Sequence, residues 1–158
     1  MTIADLKPLT EQTVQKTIFI YGMKNPRYFF FNTYFLGHEM DCCSISASGY
    51  STEWEIKLSV SDFKAEFKKP HRQAVFSETG VPATNYLNYV VPKGLVCLED
   101  LPARCGLFYL VPDRWSYTGY RLETVGKACR WHTDKVTEKQ IAKGLESCMW
   151  KIPKRYLK

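Results

Sequence analysis

Three stretches of the chain show the spacing and boundary residues that are typical of helices. Thr10 is a good N-cap for a first helix that extends to about Gly22. Ser61 similarly predicts the start of a short second helix, which Pro70 ends. A last helix is predicted over 137–150, and its apolar face is predicted to contain Ile141, Leu145 and Met149.

Strands are predicted between these helices by short runs that are apolar or that alternate between apolar and polar residues. The runs cover residues 28–36, 39–46, 51–58, 85–91, 106–111 and 123–128. The order is therefore helix, two or three strands, helix, strands and helix. Such mixed ordering predicts an α/β or α+β fold with helices packed on one sheet.

The strands on either side of residues 47–50 form a predicted hairpin, and its register decides which side chains share a face. Residues directly opposite each other in a hairpin share a face, and their numbers have a constant sum. A two-residue Ser48-Gly49 turn would place Asp41 opposite Ile56. A three-residue loop, with Gly49 in the left-handed conformation, places Asp41 opposite Glu55 instead. We predict the three-residue loop.

The composition is that of a single globular domain over 1–158. Hydrophobic residues make up 45% of the chain, and no repeat, linker or low-complexity segment divides it. Its apolar runs are far shorter than the roughly 20 residues that a helix needs to cross a bilayer. Its first residues do not resemble a signal peptide. We expect a cytoplasmic protein that is not a membrane protein.

The positive charge is concentrated at the C-terminal end. The formal net charge is +6; residues 1–120 contain 12 basic and 12 acidic side chains, whereas 121–158 contain 10 and 4. A basic C-terminal helix and tail favours a polyanionic partner, with nucleic acid first and an acidic protein surface second, although a solvated helix has the same composition. The tail combines four basic and two aromatic residues: Trp150, Lys151, Lys154, Arg155, Tyr156 and Lys158.

Six cysteines are present, but none forms a CxxC pair. Cys129 and His132 come nearest to a pair of zinc ligands, and the adjacent Cys42 and Cys43 fit neither a zinc site nor a disulfide framework. We therefore predict free, largely buried thiols.

The third predicted strand carries the residues with the clearest chemistry. Its alternation places Glu53, Glu55 and Lys57 on one face. Asp41, opposite Glu55, would bring a second carboxylate to the same point, where the backbone carbonyl of Ile56 adds an oxygen. Carboxylate and carbonyl oxygens are the ligands of Mg²⁺. Such a metal activates water, and the lysine would orient that water or stabilise charge on a phosphate.

These residues and their context resemble the PD-(D/E)xK nuclease superfamily, particularly its small single-domain phage and bacterial members. The resemblance covers roughly residues 36–112 and rests on three short segments: Asp41, Gly49 to Lys57, and Ser61 to Phe63. One departure is Met40, which stands where the motif has proline. A phage-encoded member would act in the host cytoplasm.

The resemblance implies a restriction-endonuclease-like αβββαβ core, with a central mixed sheet flanked by helices. It implies a Mg²⁺ or Mn²⁺ cofactor and hydrolysis of DNA phosphodiester bonds. Asp41 and Glu55 would be metal ligands, and Lys57 would be the catalytic lysine. Many members add an acid from the first helix, and Glu11 is the only acid in that stretch. Glu39 and Glu53 are candidates for an outer shell or an exposed edge.

A group of basic residues follows the proposed site and predicts contacts with phosphates, although a solvated helix face is an equal alternative for each. The group consists of Lys64, Lys68, Lys69 and Arg72. His71 beside them is a weak candidate for a general acid or base. DNA is the expected partner, RNA is not excluded, and a homodimer is compatible with cutting two strands.

Two other classes of function remain open. The first is a non-catalytic nucleic-acid-binding module of the same fold, which would bind DNA in a salt-dependent manner without a metal. The second is a protein-interaction factor whose basic tail binds an acidic partner.

Overall fold

The computed structural model describes residues 8–22 and 26–156, with side chains for 8–21 and 26–151. In this part of the chain, helices and strands alternate in the predicted mixed order. The elements are α1 (Glu11–Gly22), β1 (Pro26–Phe35), β2 (His38–Ser46), β3 (Ser51–Ile56), α2 (Val60–Glu66), α3 (Pro70–Phe76), β4 (Tyr86–Pro92), a short 3₁₀ helix (Leu98–Asp100), β5 (Gly106–Pro112), β6 (Tyr120–Gly126) and α4 (Glu138–Tyr156).

The six strands form one mixed sheet in which the spatial order follows the chain order, β1 to β6. β1, β2 and β3 form an antiparallel meander. β4 lies parallel to β3, and β5 lies parallel to β4. β6 returns antiparallel to β5. Because a parallel connection needs a crossover, α2 and α3 carry the chain from β3 back to the start of β4. The mixed α/β class is therefore confirmed.

Helices cover both faces of this sheet. α1 buries Val14 and Ile18 against one face, where Trp54 and Ile56 of β3 also lie. The other face is covered by α2 and α3, which contribute Phe63 and Val75, and by α4, which contributes Ile141. Both faces of β3 are thus buried, and this is unusual for a strand that contains Glu53 and Glu55 and is followed by Lys57. No helix in the described ranges is long and apolar enough to cross a membrane.

The boundaries of the second predicted helix differ from the structure. α2 starts at Val60, and Ser59 rather than Ser61 is its N-cap, since the Ser59 hydroxyl accepts from the Asp62 amide at 3.1 Å. The prediction that Pro70 ends this helix is wrong: α2 ends at Glu66, and Pro70 occupies the first turn of α3. A proline is tolerated there because the first turn needs no amide donor.

The apolar face predicted for the last helix is only partly buried. Ile141 is buried, but Leu145 is 42% exposed and Met149 is 66% exposed. Gly144 and Cys148 face the sheet in their place. A Cβ at Gly144 would lie 3.0 Å from the Phe35 ring, so the missing side chain is what allows the helix to approach closely.

The register predicted for the β2–β3 hairpin is confirmed. Cys42 lies opposite Trp54, and the same sum places Asp41 opposite Glu55. The loop contains three residues, because the Ser46 amide donates to the Tyr50 carbonyl at 2.9 Å. Gly49 has a φ of +88°, the left-handed conformation that the prediction required.

The β1–β2 hairpin bends sharply at Asp41 and at Asn32, which lies opposite it in the register. Asn32 has a φ of +45°. On the far side of the bend, Met40 packs with Cys43 in the same cluster, although simple alternation would put them on opposite faces. The tip of the hairpin therefore folds over the sheet and leaves Asp41 at the corner.

Candidate functional site

Asp41, Glu55 and Lys57 come together where β2 bends away from β3. The Asp41 Oδ2 atom accepts a hydrogen bond from the Ile56 amide at 2.8 Å. The Asp41 carbonyl accepts from Gln15 of α1 at 3.1 Å. The Ile56 amide at the end of β3 thus donates to a side chain of β2, the Asp41 carboxylate, at the bend.

The Asp41 carboxyl group resists ionisation. Burial is the largest cause, and the negative charge of Glu55 is the next; together they raise its pKa to about 7. The Ile56 amide and the Lys57 ammonium oppose this shift without cancelling it. A carboxyl group with a pKa this far from its ordinary value is a marker of candidate functional sites.

Lys57 is a buried cation held between two glutamates. Its Nζ lies 2.8 Å from Glu55 Oε2 and 3.0 Å from Glu66 Oε2. Burial alone would lower the pKa of Lys57, but the two glutamates hold it above its ordinary value. The lysine is therefore a permanent positive charge beside Glu55 and cannot serve as a general base.

Two members of the cluster, Glu66 and Arg72, were not predicted to belong to the site. Arg72 is fully buried, and its guanidinium pairs with Glu53, with Glu55 at 3.2 Å and with Glu66 at 2.8 Å. The prediction that Arg72 contacts nucleic acid is wrong, because its side chain cannot reach a surface phosphate. Sequence spacing offered one signal for Glu66: it follows Phe63 by three residues, on the same face of α2.

Glu53 is the most strongly compensated acid of the cluster. Besides Arg72, it accepts from His38 Nε2 at 2.7 Å and from the Thr84 hydroxyl at 3.3 Å. Burial would raise its pKa, but Arg72 and His38 lower the pKa to about 2. The ring of His71 stacks on His38 at 4.3 Å. Glu53 therefore anchors the folded hairpin tip to the sheet.

The three predicted lysine contacts differ in their surroundings. Lys64 and Lys68 are exposed on the surface of the α2 segment, so a contact with phosphate stays a prediction for them. Lys69 lies over the cluster, and its Nζ is 2.8 Å from Glu66 and 3.8 Å from Glu55. Lys69 thus separates the buried glutamates from solvent.

The remaining predicted acids lie at the edge of the cluster. Glu11 is exposed and accepts from Gln15 at 3.1 Å, yet its charge contributes to the raised pKa of Asp41. Glu39 is exposed and pairs with Lys151 of the basic tail at 3.2 Å. Trp150 of that tail is exposed, and the side chains of Lys154, Arg155, Tyr156 and Lys158 lie outside the described residues.

Asp41 has no ion-pair partner among the described residues, unlike the other three carboxylates of the cluster. Glu53, Glu55 and Glu66 pair with Arg72, Lys57 and Lys69, and Glu53 also pairs with His38. Carboxylate oxygens suit a hard divalent cation, so the chemistry of the donors fits Mg²⁺. Both oxygens of Glu55 already have partners, Arg72 and Lys57. Among the described residues, no three His, Cys, Asp or Glu side chains converge as a ready metal site. A metal would have to take the place of a lysine or the Asp41 proton.

The thiols conform to the prediction in part. All six cysteines are free, and Cys42, Cys43 and Cys105 are buried, but Cys97 and Cys129 are exposed. The pKa values of the three buried thiols are raised by burial, so these thiols are not reactive nucleophiles.

Comparison with known proteins shows the fold only. No protein family profile matches the chain, and no curated protein matches it. A solved structure does resemble it: the SPO1766 protein of unknown function from Silicibacter pomeroyi, at 18% sequence identity and a TM-score of 0.57. The match covers 96% of this chain and 90% of that one. A similar overall fold therefore occurs in a second protein.

Proposed function

We propose that this protein is a metal-dependent nuclease that hydrolyses phosphodiester bonds of DNA. The observation that carries the proposal is the pair of carboxylates, Asp41 and Glu55, at the β2–β3 corner. Burial and the negative charge of Glu55 raise the pKa of Asp41 to about 7. An acid held in such surroundings is costly to the fold, so its presence at a corner beside Glu55 favours a role in binding a cation.

The topology supports the same proposal. A helix, a three-stranded meander, a crossover and a fourth strand parallel to the third follow each other in the order that the restriction-endonuclease-like αβββαβ core requires. The residues that resemble the PD-(D/E)xK motif lie where the pairing of β2 with β3 ends, just beyond the Cys42–Trp54 pair.

Each side chain has a distinct task in this proposal. Asp41 and Glu55 would hold Mg²⁺ or Mn²⁺, together with the Ile56 carbonyl and with Glu11 through an outer position. The bound metal would supply an activated water and polarise the phosphate. Lys57, which is always protonated, would stabilise negative charge on the reacting phosphate. Glu66 would receive the Lys57 ammonium whenever Glu55 binds the metal.

A non-catalytic nucleic-acid-binding module is the second candidate, and one observation favours it. Glu55 is fully paired, with Arg72 on one oxygen and Lys57 on the other. If these pairs are permanent, the glutamate serves the fold and no metal can bind. Such a module would bind DNA equally well with and without Mg²⁺.

Cleavage of DNA in the presence of a metal decides between the two. The purified protein is incubated with plasmid and with single-stranded DNA in Mg²⁺ or Mn²⁺, and products are separated on gels. We expect cleavage that falls about 100-fold or more in Asp41→Asn and Lys57→Ala. Lys16→Ala removes an exposed lysine of α1 that has no predicted role and is the matched control.

Asp41→Asn keeps an acceptor for the Ile56 amide and is expected to fold, so its loss of activity is informative even if Lys57→Ala is unstable. Absence of cleavage by the wild-type protein, or full activity in Asp41→Asn, would overturn the nuclease proposal. Binding of DNA without cleavage and without a metal effect would establish the non-catalytic module.

A further inference from the structure

The loop between β5 and β6, residues 113–119, exposes two large aromatic side chains. Trp115 is 83% exposed and Tyr117 is 76% exposed. The guanidinium of Arg114 lies over the Trp115 ring, 4.7 Å from its centre. Rings that are this exposed contribute little to the core, and tryptophan in particular is rarely left in solvent. The loop therefore has the composition of a contact surface.

The loop is held in a defined conformation. The Asp113 amide donates to the Gly119 carbonyl at 2.8 Å, and the Ser116 amide donates to the Asp113 carbonyl at 3.1 Å. The Asp113 carboxylate also accepts from the Trp115 amide at 3.0 Å. The backbone that carries the rings is thus fixed in advance, and binding through them would cost less conformational entropy.

The loop lies at the same edge of the sheet as the carboxylate cluster. β3, β4 and β5 are parallel, so their C-terminal ends meet at one edge; β3 ends at the cluster and β5 leads into the loop. Helix α1 touches both places. Gln15 donates to the Asp41 carbonyl at 3.1 Å, and Thr17 donates to the Thr118 hydroxyl at 2.8 Å. The corner and the loop therefore pack against the same helix.

Basic side chains surround the loop on the neighbouring elements. Arg114 lies within it, and the exposed Lys93 and Arg121 lie beside it, where they share Glu123 as an ion-pair partner. Exposed aromatic rings near cations match a nucleobase on a phosphate backbone: a ring stacks on the base, and the cations contact the phosphates.

We propose that the 113–119 loop stacks on an unpaired base of a nucleic-acid strand that is bound at the Asp41 corner. The inference rests on the proposed function, since it names the substrate: a strand with a single-stranded segment a few nucleotides from the scissile bond. Duplex DNA, whose bases are already stacked, would gain much less from the loop.

Binding to a labelled single-stranded oligonucleotide of about 16 nucleotides, without metal, tests the loop separately from cleavage. Anisotropy is expected to show at least about fivefold weaker binding for Trp115→Ala and near wild-type binding for Trp115→Phe, which keeps a ring. Tyr34→Ala is the matched control, because Tyr34 is 61% exposed on the edge strand β1. Equal losses in both alanine variants, or no loss in Trp115→Ala, would overturn the inference.

A small phosphodiester, bis(p-nitrophenyl) phosphate, separates the two proposals because it cannot span from the corner to the loop. If Trp115→Ala hydrolyses it at the wild-type rate but binds oligonucleotide poorly, both proposals are supported. Weak oligonucleotide binding by Trp115→Ala without any hydrolysis by wild type would support the stacking role of the loop and contradict the nuclease proposal. Hydrolysis by wild type together with unchanged oligonucleotide binding by Trp115→Ala would contradict the stacking role and support the nuclease proposal.

Discussion

Glu53 and Asp41 lie on adjacent strands of one sheet, but their surroundings shift their pKa values in opposite directions. Glu53 accepts from Arg72 and His38, and its pKa is lowered to about 2. Asp41 is crowded by the negative charge of Glu55, and its pKa is raised to about 7. The difference teaches that burial alone does not identify a functional acid. A compensated carboxylate serves the fold, whereas an uncompensated one costs stability and calls for another explanation.

The largest effect is expected on the compensated side. Arg72→Ala leaves Glu53, Glu55 and Glu66 without their shared cation, and uncompensated buried charge costs about 3–5 kcal/mol. The melting temperature should fall by about 10 °C or more, or the protein should fail to fold. Arg27→Ala is the matched control: Arg27 pairs with Glu138 on the surface at 3.2 Å, and such pairs contribute about 1 kcal/mol or less. Equal melting temperatures for the two variants would contradict the assignment.

An effect of opposite sign is expected for Asp41. Because its pKa is raised on folding, the folded state holds a proton that the unfolded chain releases above pH 3.8. The resulting penalty is absent below about pH 3, grows up to about pH 7 and is constant above it. Asp41→Asn removes the penalty, so it should raise the melting temperature by about 5–10 °C at pH 8 and leave it unchanged near pH 3. A variant that is less stable than wild type at pH 8 would show that Asp41 is a structural acid like Glu53.

The smallest effect is expected from the metal. A cation that binds the uncompensated corner stabilises the folded state according to its concentration and affinity. For millimolar affinity, 10 mM Mg²⁺ should raise the melting temperature by about 3 °C over NaCl of equal ionic strength. Asp41→Asn should lose this increment, and Lys64→Ala should keep it. An identical shift in Asp41→Asn would assign it to a general salt effect.

Local patterns predicted the β2–β3 hairpin well, because its register depends on neighbours in the chain. Gly49 fixed the loop, and the alternation of Glu53 to Lys57 fixed the faces. The bend at Asn32 could not be predicted, since it depends on the hairpin tip folding back to place His38 against Glu53. The helix α4 shows the same limit. A periodic stripe predicted Leu145 and Met149 inside, but Gly144 lets the helix approach Phe35 and turns another face inward.

Three residues of the candidate site could be predicted because their positions, too, depend on neighbours in the chain. Asp41, Glu55 and Lys57 lie close in sequence or across one hairpin, so their proximity follows from register. Arg72 looked like a surface residue because it follows a lysine-rich segment, and only the packing of α3 on the sheet shows that it is buried. Long-range compensation of charge leaves no local pattern in a sequence.

The bend at Asn32 also has a consequence for the outer edge of the sheet. β1 is an edge strand, and it contains four consecutive aromatic residues, Tyr28 to Phe31. A flat, aromatic edge of ten residues would be a template for pairing with another chain and for aggregation. The left-handed residue Asn32 interrupts that edge directly after the aromatic run. The corner that holds Asp41 therefore also shortens the edge available for intermolecular pairing.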